Sequence, residues 1–295
     1  MVRRLSLIGN PGARGEPALL LPRAQQLARD HGWEADALIS EMRGHAFMLA
    51  AEAAAAGRDL VIAVGGDGTV REVAAGLAGT AVPLAIVPAG SGNSSYLELF
   101  GSRGWEEVLG SVLERPRSRL IDLIELEPTG EFGLLGFSAG WFAQIIDLAG
   151  RSASTGAARY ADGAALAARA PARFPGTVTV DGRVLAEGDL GLVAIGGARV
   201  RAAVFRVFPD SRMDDGLLEV LVVRATDTAG FNELLGAVLK GRHRDHMLTA
   251  HARAETVEIS APEGFLAEID GDLWEREMYS VKARCATGRL NVALT

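Results

Sequence analysis

The sequence predicts an α/β protein, with an N-terminal parallel α/β domain over residues 1–120 and a C-terminal antiparallel, β-sandwich-like domain over residues 121–295. Three observations predict it. Short apolar runs alternate with helical-period segments through the first third of the chain, the pattern of βαβ units that build a parallel sheet. Beyond residue 120, strand-like runs follow one another through turn-like links, the pattern of hairpin-connected sheets. The chain has 295 residues, 48% of them hydrophobic, enough for one large or two medium domains with a sizeable core.

Leu5-Ser6-Leu7-Ile8 is a short apolar run closed by Gly9-Asn10-Pro11-Gly12, a strand entering a turn. Pro17 suits the first turn of a helix, Leu20, Ala24, Leu27 and Ala28 recur near helical period, and Gly32 stops it. Ala35 to Ile39 reads as a second strand, and Ala46 to Ala56 as a helix stopped by Gly57. Leu60-Val61-Ile62-Ala63-Val64 is continuously apolar and rich in β-branched residues, as a strand buried on both faces requires. Val70 to Leu77 reads as a short helix, Leu84 to Val87 as another buried strand and Trp105 to Leu113 as a helix.

In the second half the expected strands are Ile121 to Leu126, Phe132 to Phe137, Thr177 to Leu185, Leu190 to Ile195, Val204 to Phe208 and Leu217 to Val223. Thr256 to Ser260, Phe265 to Ile269, Tyr279 to Ala283 and Leu290 to Leu294 follow. Asp181-Gly182 between Val-Thr-Val and Arg-Val-Leu is a hairpin signal. Two helices are expected among these strands, Gly156 to Ala170 and Thr228 to Lys240.

Composition excludes several classes. The net charge of −7 argues against a broad nucleic-acid surface, which needs clustered Lys and Arg. A single cysteine, Cys285, rules out an internal disulfide framework and a cysteine-rich zinc site, and reads as a small buried residue. After Arg3-Arg4 only Leu5 to Ile8 precede Gly9, too short for a secretion signal. The alanine-rich Ala46 to Ala56 is interrupted by Glu52 and too short to span a bilayer. The expected location is the cytoplasm, with transient peripheral contact at a membrane surface. Formation of a homodimer stays open.

The strongest local feature is Gly65-Gly66-Asp67-Gly68-Thr69, directly between a buried strand and a helix. Glycine lets the backbone approach a ligand closely and present its N–H groups, and a helix N-terminus favours phosphate. Asp67 places a carboxylate where a bare phosphate would repel it, which makes sense if it faces a cation, a sugar hydroxyl or a proton to be abstracted. The segment also reads as a tight strand-to-helix turn with Asp as cap. A second loop, Pro88-Ala89-Gly90-Ser91-Gly92-Asn93-Ser94-Ser95, again ends a buried strand, and Gly9-Asn10-Pro11-Gly12-Ala13-Arg14-Gly15 is a third. Loops after parallel strands share one sheet edge, where α/β proteins bind ligands. None is a Walker A loop or the Gly-x-Gly-x-x-Gly dinucleotide fingerprint.

These motifs resemble the diacylglycerol kinase catalytic domain family, which includes bacterial lipid kinases and sphingosine kinases. The resemblance rests on strand–Gly-Gly-Asp-Gly-Thr–helix with Glu72-Val73, on Pro88-x-Gly90-Ser91-x-Asn93, on the opening Asn10-Pro11 and on Ile121-Asp122-Leu123. It continues through Met213-Asp214-Asp215-Gly216-Leu217-Leu218 and Ile269-Asp270-Gly271-Asp272, in family order across nearly the whole chain. It implies a fold like that of NAD kinases and diacylglycerol kinases, with ATP and Mg²⁺ as cofactors. It implies that Asn10, Gly65, Gly66, Gly68, Thr69, Gly90, Ser91 and Asn93 line the ATP site, with Glu72 near the nucleotide. Asp67 would help to organise Mg²⁺ and the reacting hydroxyl. Asp272, or Asp270 in its place, would be the general base. Asp214, Asp215 and Asp122 would surround a metal ion, although the Asp214-Asp215-Gly216 segment also reads as a hairpin turn with solvated acids. Asp147 would hold a substrate head group, and it equally reads as a surface acid on a helix.

Two positions depart from the family pattern. Ser94 stands where many bacterial members carry an acid, and Asp272 stands where a Glu is usual, shortening the reach by one methylene, around 1.5 Å, a shift that matters for proton transfer. Phe137, Trp141, Phe142, Ile145, Ile146 and Leu148 read either as an acyl-chain pocket or as core. His243, His246 and His251 sit in or beside a strongly charged run, which reads as a solvated loop rather than a metal site. The expected function is transfer of the ATP γ-phosphate to a lipid hydroxyl, of diacylglycerol or of a long-chain base. A kinase for a soluble alcohol, or a catalytically weakened nucleotide- or lipid-binding relative, are the alternatives.

Overall fold

The computed structural model describes residues 2–12, 15–154, 156, 158–201, 205–274 and 277–295. They form two compact units: the chain up to Asp122 together with Gly288–Thr295, and Leu123–Thr287.

The first unit runs β1 (Arg4–Gly9), α1 (Pro17–Asp30), β2 (Glu34–Ile39), α2 (His45–Ala55), β3 (Leu60–Gly65), α3 (Asp67–Leu77), β4 (Leu84–Pro88), α4 (Ser94–Phe100), α5 (Trp105–Glu114) and the start of β5 (Arg117–Glu127). Its parallel strands lie in the order β2-β1-β3-β4, with Gly9 opposite Ile39 and Val64, and Gly65 opposite Pro88. Every residue of β3 is buried, as its unbroken apolar run requires. Leu5, Leu7, Leu60, Ile62, Val64 and Val87 pack beneath α1 and α5. Alternate strand residues such as Ile8, Val61 and Ala63 are also fully buried; they face the side of the mutually packed α2 and α3. The connections leave β1 and β3 in opposite directions, which opens a crevice at the carboxyl ends of these strands.

The second unit continues with β6 (Glu131–Gly133), β7 (Gly136–Gly140), α6 (Trp141–Gly150), α7 (Ala158–Ala167), β8 (Phe174–Val180), β9 (Arg183–Gly196), β10 (Leu218–Arg224), α8 (Thr228–Leu239), β11 (Thr249–Ala254), β12 (Thr256–Phe265), β13 (Ala267–Ile269), β14 (Asp272–Leu273) and β15 (Met278–Leu294). All pairings among its strands are antiparallel. The early half of β9 pairs with β8, and its later half lies between β7 and β10. Strand alternation splits the core in two. Val193, Ile195, Val220 and Val222 join a cluster with β8, β12 and β15. Leu192, Ala194, Leu221 and Val223 join another with α6, α7 and α8, around Trp141 and Phe231.

The structure revises several expectations. The expected strand from Phe132 to Phe137 is two strands, because the backbone turns at Leu134-Leu135 onto a buried carboxylate described below. Helix α4 is an addition, and α6 is the helix that carries Asp147. α6 is buried on Trp141, Phe142, Ala143, Ile145 and Ala149, so it shows no clean polar face from which to read a period. Of the expected strand from Val204 to Phe208, Val204 lies outside the described residues and Phe205 forms a single bridge to Arg201. The strand expected at Leu290–Leu294 is the end of β15. It returns to the first unit, where Val292 pairs in parallel with Leu84, and the Gly288 amide donates to Asp122 Oδ1 at 2.7 Å. No helix among the described residues is long and apolar enough to cross a membrane.

The histidines are not a solvated loop. His243 is 1% exposed, its Nε2 donates to the Val207 carbonyl at 2.9 Å, and its ring centroid lies 5.5 Å from that of His251. Burial holds the His243 imidazole below its ordinary value. Burial, followed by the neighbouring His243 and Arg244, lowers His251 to about 4. Burial favours the neutral ring in both, so the stability from burying His251 is full above the ordinary value of 6.5 and is lost as pH falls from 6.5 towards about 4. The thermal midpoint of the wild type therefore drops more steeply across that window than the midpoint of His251→Phe. Parallel pH profiles would overturn this assignment.

Candidate active site

The parallel register brings the ends of β1, β3 and β4 to one edge, and the three glycine-rich loops leave from there. The loops touch through backbone. A Cβ on Gly90 would stand 2.3 Å from the Gly66 Cα, and one on Gly15 would stand 1.9 Å from the Ala89 carbonyl oxygen. The Glu16 amide donates to Ala89 O at 2.9 Å, and the Ala89 amide to Gly65 O at 3.0 Å. Ala13 and Arg14 of the loop after β1 lie outside the described residues.

α3 starts at Asp67, three residues earlier than expected, so Asp67, Gly68 and Thr69 form its first turn, and its cap, Gly66, brings no side-chain hydrogen bond. The first amides of a helix have no intrahelical partner and carry the positive end of its dipole. Gly66, Gly68 and Thr69 thus supply a backbone cradle suited to phosphate oxygens. The Gly65 Cα faces the Thr69 side chain, where a Cβ would stand 2.6 Å from Thr69 Cβ. Ser91 is exposed. Asn10 and Asn93 shape their own loops. Asn10 Oδ1 accepts from the Gly12 amide at 2.9 Å. Asn93 accepts from the Gly90 amide at 2.9 Å and donates to the Gly90 carbonyl at 3.0 Å.

The two acids here are committed to amides. Asp67 accepts from the Ser94 amide at 3.1 Å, the Ser95 amide at 2.8 Å and the Ser95 hydroxyl at 2.9 Å, so it caps α4 across the loops. Glu72, expected near the nucleotide, instead accepts from the Gly44 and Ala46 amides at 2.8 and 3.1 Å and holds the start of α2. Ser94 and Ser95, both buried, are the site residues that sequence reasoning left without a role. A Ser-Ser pair opening a helix was the available signal.

In the second unit, β13 and β14 form a hairpin with Ile269 opposite Asp272. Its turn is Asp270-Gly271, both at positive φ, 51° and 92°, as a two-residue type I′ turn requires. Asp270 is buried, and its carboxylate accepts from the amides of Leu134, Leu135 and Gly136 at 2.6, 2.8 and 2.8 Å. Three backbone amides thus hold the Asp270 carboxylate in the turn. Asp272 lies half-buried at the start of β14. Beneath the turn, the fully buried Glu268 accepts from the Ser138 hydroxyl, from Arg201 at 2.5 Å and from the Gly271 amide at 2.8 Å. Nothing in the sequence pattern around Arg201 or Glu268 announced this pair.

α6, which packs on β13 and β14, carries Asp147, half-exposed and ion-paired to Arg151 one turn on at 2.6 Å. Ala157 of the segment that follows lies outside the described residues. Asp214 pairs with Arg212 at 3.2 Å, and Asp215 pairs with Arg253 and accepts from the Leu217 amide at 3.2 Å. Asp122 is tied to Gly288. Among the described residues no group of three or more His, Cys, Asp or Glu could hold a metal ion, so Asp122, Asp214 and Asp215 do not gather as a metal cage.

A doubly wound sheet with backbone phosphate loops, followed by an antiparallel sandwich, defines the class of α/β nucleotide-handling proteins. Residues 4–126 match the model of the diacylglycerol kinase catalytic domain, and residues 137–294 match that of the YegS C-terminal NAD kinase beta sandwich-like domain. The chain is 30% identical over 283 residues to the "Probable lipid kinase YegS-like" of Pseudomonas putida, covering 90% of this chain and 87% of that one. It is 29% identical over 231 residues to the diacylglycerol kinase of Mycobacterium tuberculosis, covering 76% and 74%. A crystal structure of a diacylglycerol kinase from Bacillus anthracis str. Sterne aligns at TM-score 0.74 with 20% identity over 99% of this chain and 97% of that one, a likeness of fold. The protein belongs to the diacylglycerol kinase family, with its YegS-like lipid kinases.

Two stability outcomes follow. Gly90→Ala costs about 1–3 kcal/mol through overpacking, read by chemical denaturation, whereas Ser91→Ala leaves the midpoint unchanged; equal midpoints would remove the Gly66–Gly90 contact from the account. Asp270→Asn costs roughly 2 kcal/mol or more by leaving buried amides poorly paired, and Asp272→Asn costs less than half of that. The reverse order would exchange the two roles.

Proposed function

We propose that this protein is a lipid kinase that transfers the γ-phosphate of ATP to a hydroxyl of diacylglycerol or of a long-chain base. The observation that carries the reading is the convergence of three glycine-rich loops on the α3 N-terminus, with the backbones of Gly66 and Gly90 in contact. Phosphoryl transfer asks mainly for positioning and charge stabilisation, and rigid backbone amides supply both. The amides of Gly66, Gly68 and Thr69 and the exposed Ser91 hydroxyl hold phosphate oxygens. Asp67 keeps α4 and the loop after β4 in register.

Asp272 takes the proton of the acceptor hydroxyl as its oxygen bonds to the γ-phosphorus. The bond from that phosphorus to the bridging oxygen breaks, and ADP leaves with the electron pair. The half-buried Asp147 on α6 is the head-group contact in this reading. Mg²⁺, when bound, neutralises charge on the nucleotide phosphates; Asp214 and Asp215 are taken by arginines, so no protein-held metal enters the steps.

ADP release measured with diacylglycerol, sphingosine, ceramide and NAD tests the reading. Turnover is expected with a lipid alcohol and not with NAD; turnover with NAD alone would replace the lipid by a soluble acceptor. Asp272→Asn lowers kcat at least ~100-fold with the thermal midpoint little changed. Asp272→Glu restores the usual reach and keeps activity. ATP binding without turnover on any acceptor would mark a non-catalytic relative.

A further inference from the structure

The exposed apolar side chains of the first unit are segregated. Among the described residues eight large ones are exposed: Val2, Leu19, Ile39, Met42, Phe47, Met48, Leu97 and Leu120. All but Val2 and Leu120 lie at the carboxyl edge of the sheet, on the end of β2, in the turn to α2, or in the opening turns of α1, α2 and α4. This is the edge that carries the phosphate loops. The densest part is Ile39 to Met48, where Met42 is 67% and Met48 is 57% exposed. Glu72 pins this segment to α3 through the Gly44 and Ala46 amides, so the apolar tip is held at a fixed place beside the phosphate cradle. α2 does not need these side chains for its own packing, which rests on Ala46, Ala50 and Ala53.

We infer that this apolar rim is the surface by which the protein rests on a lipid bilayer, with Met42, Phe47 and Met48 entering the interfacial zone. The inference rests on the lipid-kinase reading for its purpose, while the surface itself is read from the first unit alone. A second copy of the chain is the weaker occupant. A stable dimer buries about 800 Å² per partner, far more than a few side chains around a turn offer. The charges at the rim also select the mode. Among the described residues, Glu16, Glu41 and Arg43 are exposed there, which gives no cationic cluster to attract anionic headgroups. Attachment is therefore driven by apolar area, with weak dependence on salt and on lipid charge, unlike polybasic attachment. Flexible Met and a flat Phe suit a disordered interface.

The test is co-sedimentation of the full chain with phosphatidylcholine vesicles doped with diacylglycerol, at low and high salt. Wild type binds with little change between the two salt conditions. Met42→Glu and Phe47→Glu each weaken partitioning about tenfold or more, while Leu120→Glu, equally apolar and exposed but away from the edge, leaves it unchanged. Thermal midpoints check that the variants fold. Binding that survives Met42→Glu combined with Phe47→Glu, or that Leu120→Glu abolishes equally, overturns the inference. So does a wild-type dimer in sedimentation equilibrium that Met42→Glu dissociates, because the rim would then be covered by a second copy. ADP release with a short-chain diacylglycerol below its micellar concentration separates the two readings. Edge variants retain wild-type turnover there; no turnover by wild type, with edge-dependent vesicle binding intact, would fail the kinase reading and leave the membrane surface standing.

Discussion

The backbones of Gly66 and Gly90 lie so close that a Cβ on Gly90 would stand 2.3 Å from the Gly66 Cα, and the first unit's site is arranged around that contact. It fixes the distance between the loops after β3 and β4. It requires Asp67, the next residue after Gly66, to face the start of α4, where the Ser94 and Ser95 amides need an acceptor. It also places Ala89 where its carbonyl accepts from Glu16 and its amide donates to Gly65, which draws the loop after β1 to the same point. With any side chain at these glycines the loops separate, and the α3 N-terminus is no longer enclosed.

Carboxylates do the same work repeatedly in this chain. Asp67 caps α4, Glu72 caps α2, and Asp270 satisfies three amides of the turn between β6 and β7. Asp181 accepts from the amides of Glu255 and Thr256 and ties the β8–β9 hairpin to β12. Helix starts and tight turns leave amides without partners, and a buried unpaired amide costs about 1–3 kcal/mol. Acids at those points meet that need, and several of the acidic positions in the family motifs accept from backbone amides in this way. It also sharpens the chemistry, since an acid that accepts three hydrogen bonds in a rigid turn is poorly placed to take a proton from a substrate.

The parallel half was legible because its signals are local: buried strands with unbroken apolar runs, and glycine loops directly after them. β3 and the loop that follows it stood out for both reasons. The roles of the acids were not legible, because a motif records residue type and not which partner the side chain finds. Asp270 and Asp272 sit two residues apart, and only the hairpin's positive-φ turn sends one carboxylate inward onto Leu134–Gly136 and leaves the other at the strand start. Glu72 reads as a nucleotide neighbour in sequence and is turned by α3 towards α2. His243 reads as solvated among charged neighbours, yet its backbone position carries the ring into the core while Arg242 and Arg244 stay outside or half out. Nothing in Leu290–Leu294 itself shows that the end of β15 also pairs with β4.

The geometry also resolves an electrostatic conflict posed by the sequence. A carboxylate within a phosphate-binding loop should repel the ligand, yet Asp67 occupies the first turn of α3. Its charge is directed at two amides and a hydroxyl of the next loop, and charge-assisted hydrogen bonds of this kind hold both oxygens in place. The amides of Gly66, Gly68 and Thr69 belong to a different set of donors, at the positive end of the α3 dipole. The acid and an incoming phosphate therefore do not compete for partners. An acid in this position weakens binding of the most highly charged ligand slightly, and in return holds two loops at a spacing that no neutral side chain of the same length would fix as firmly.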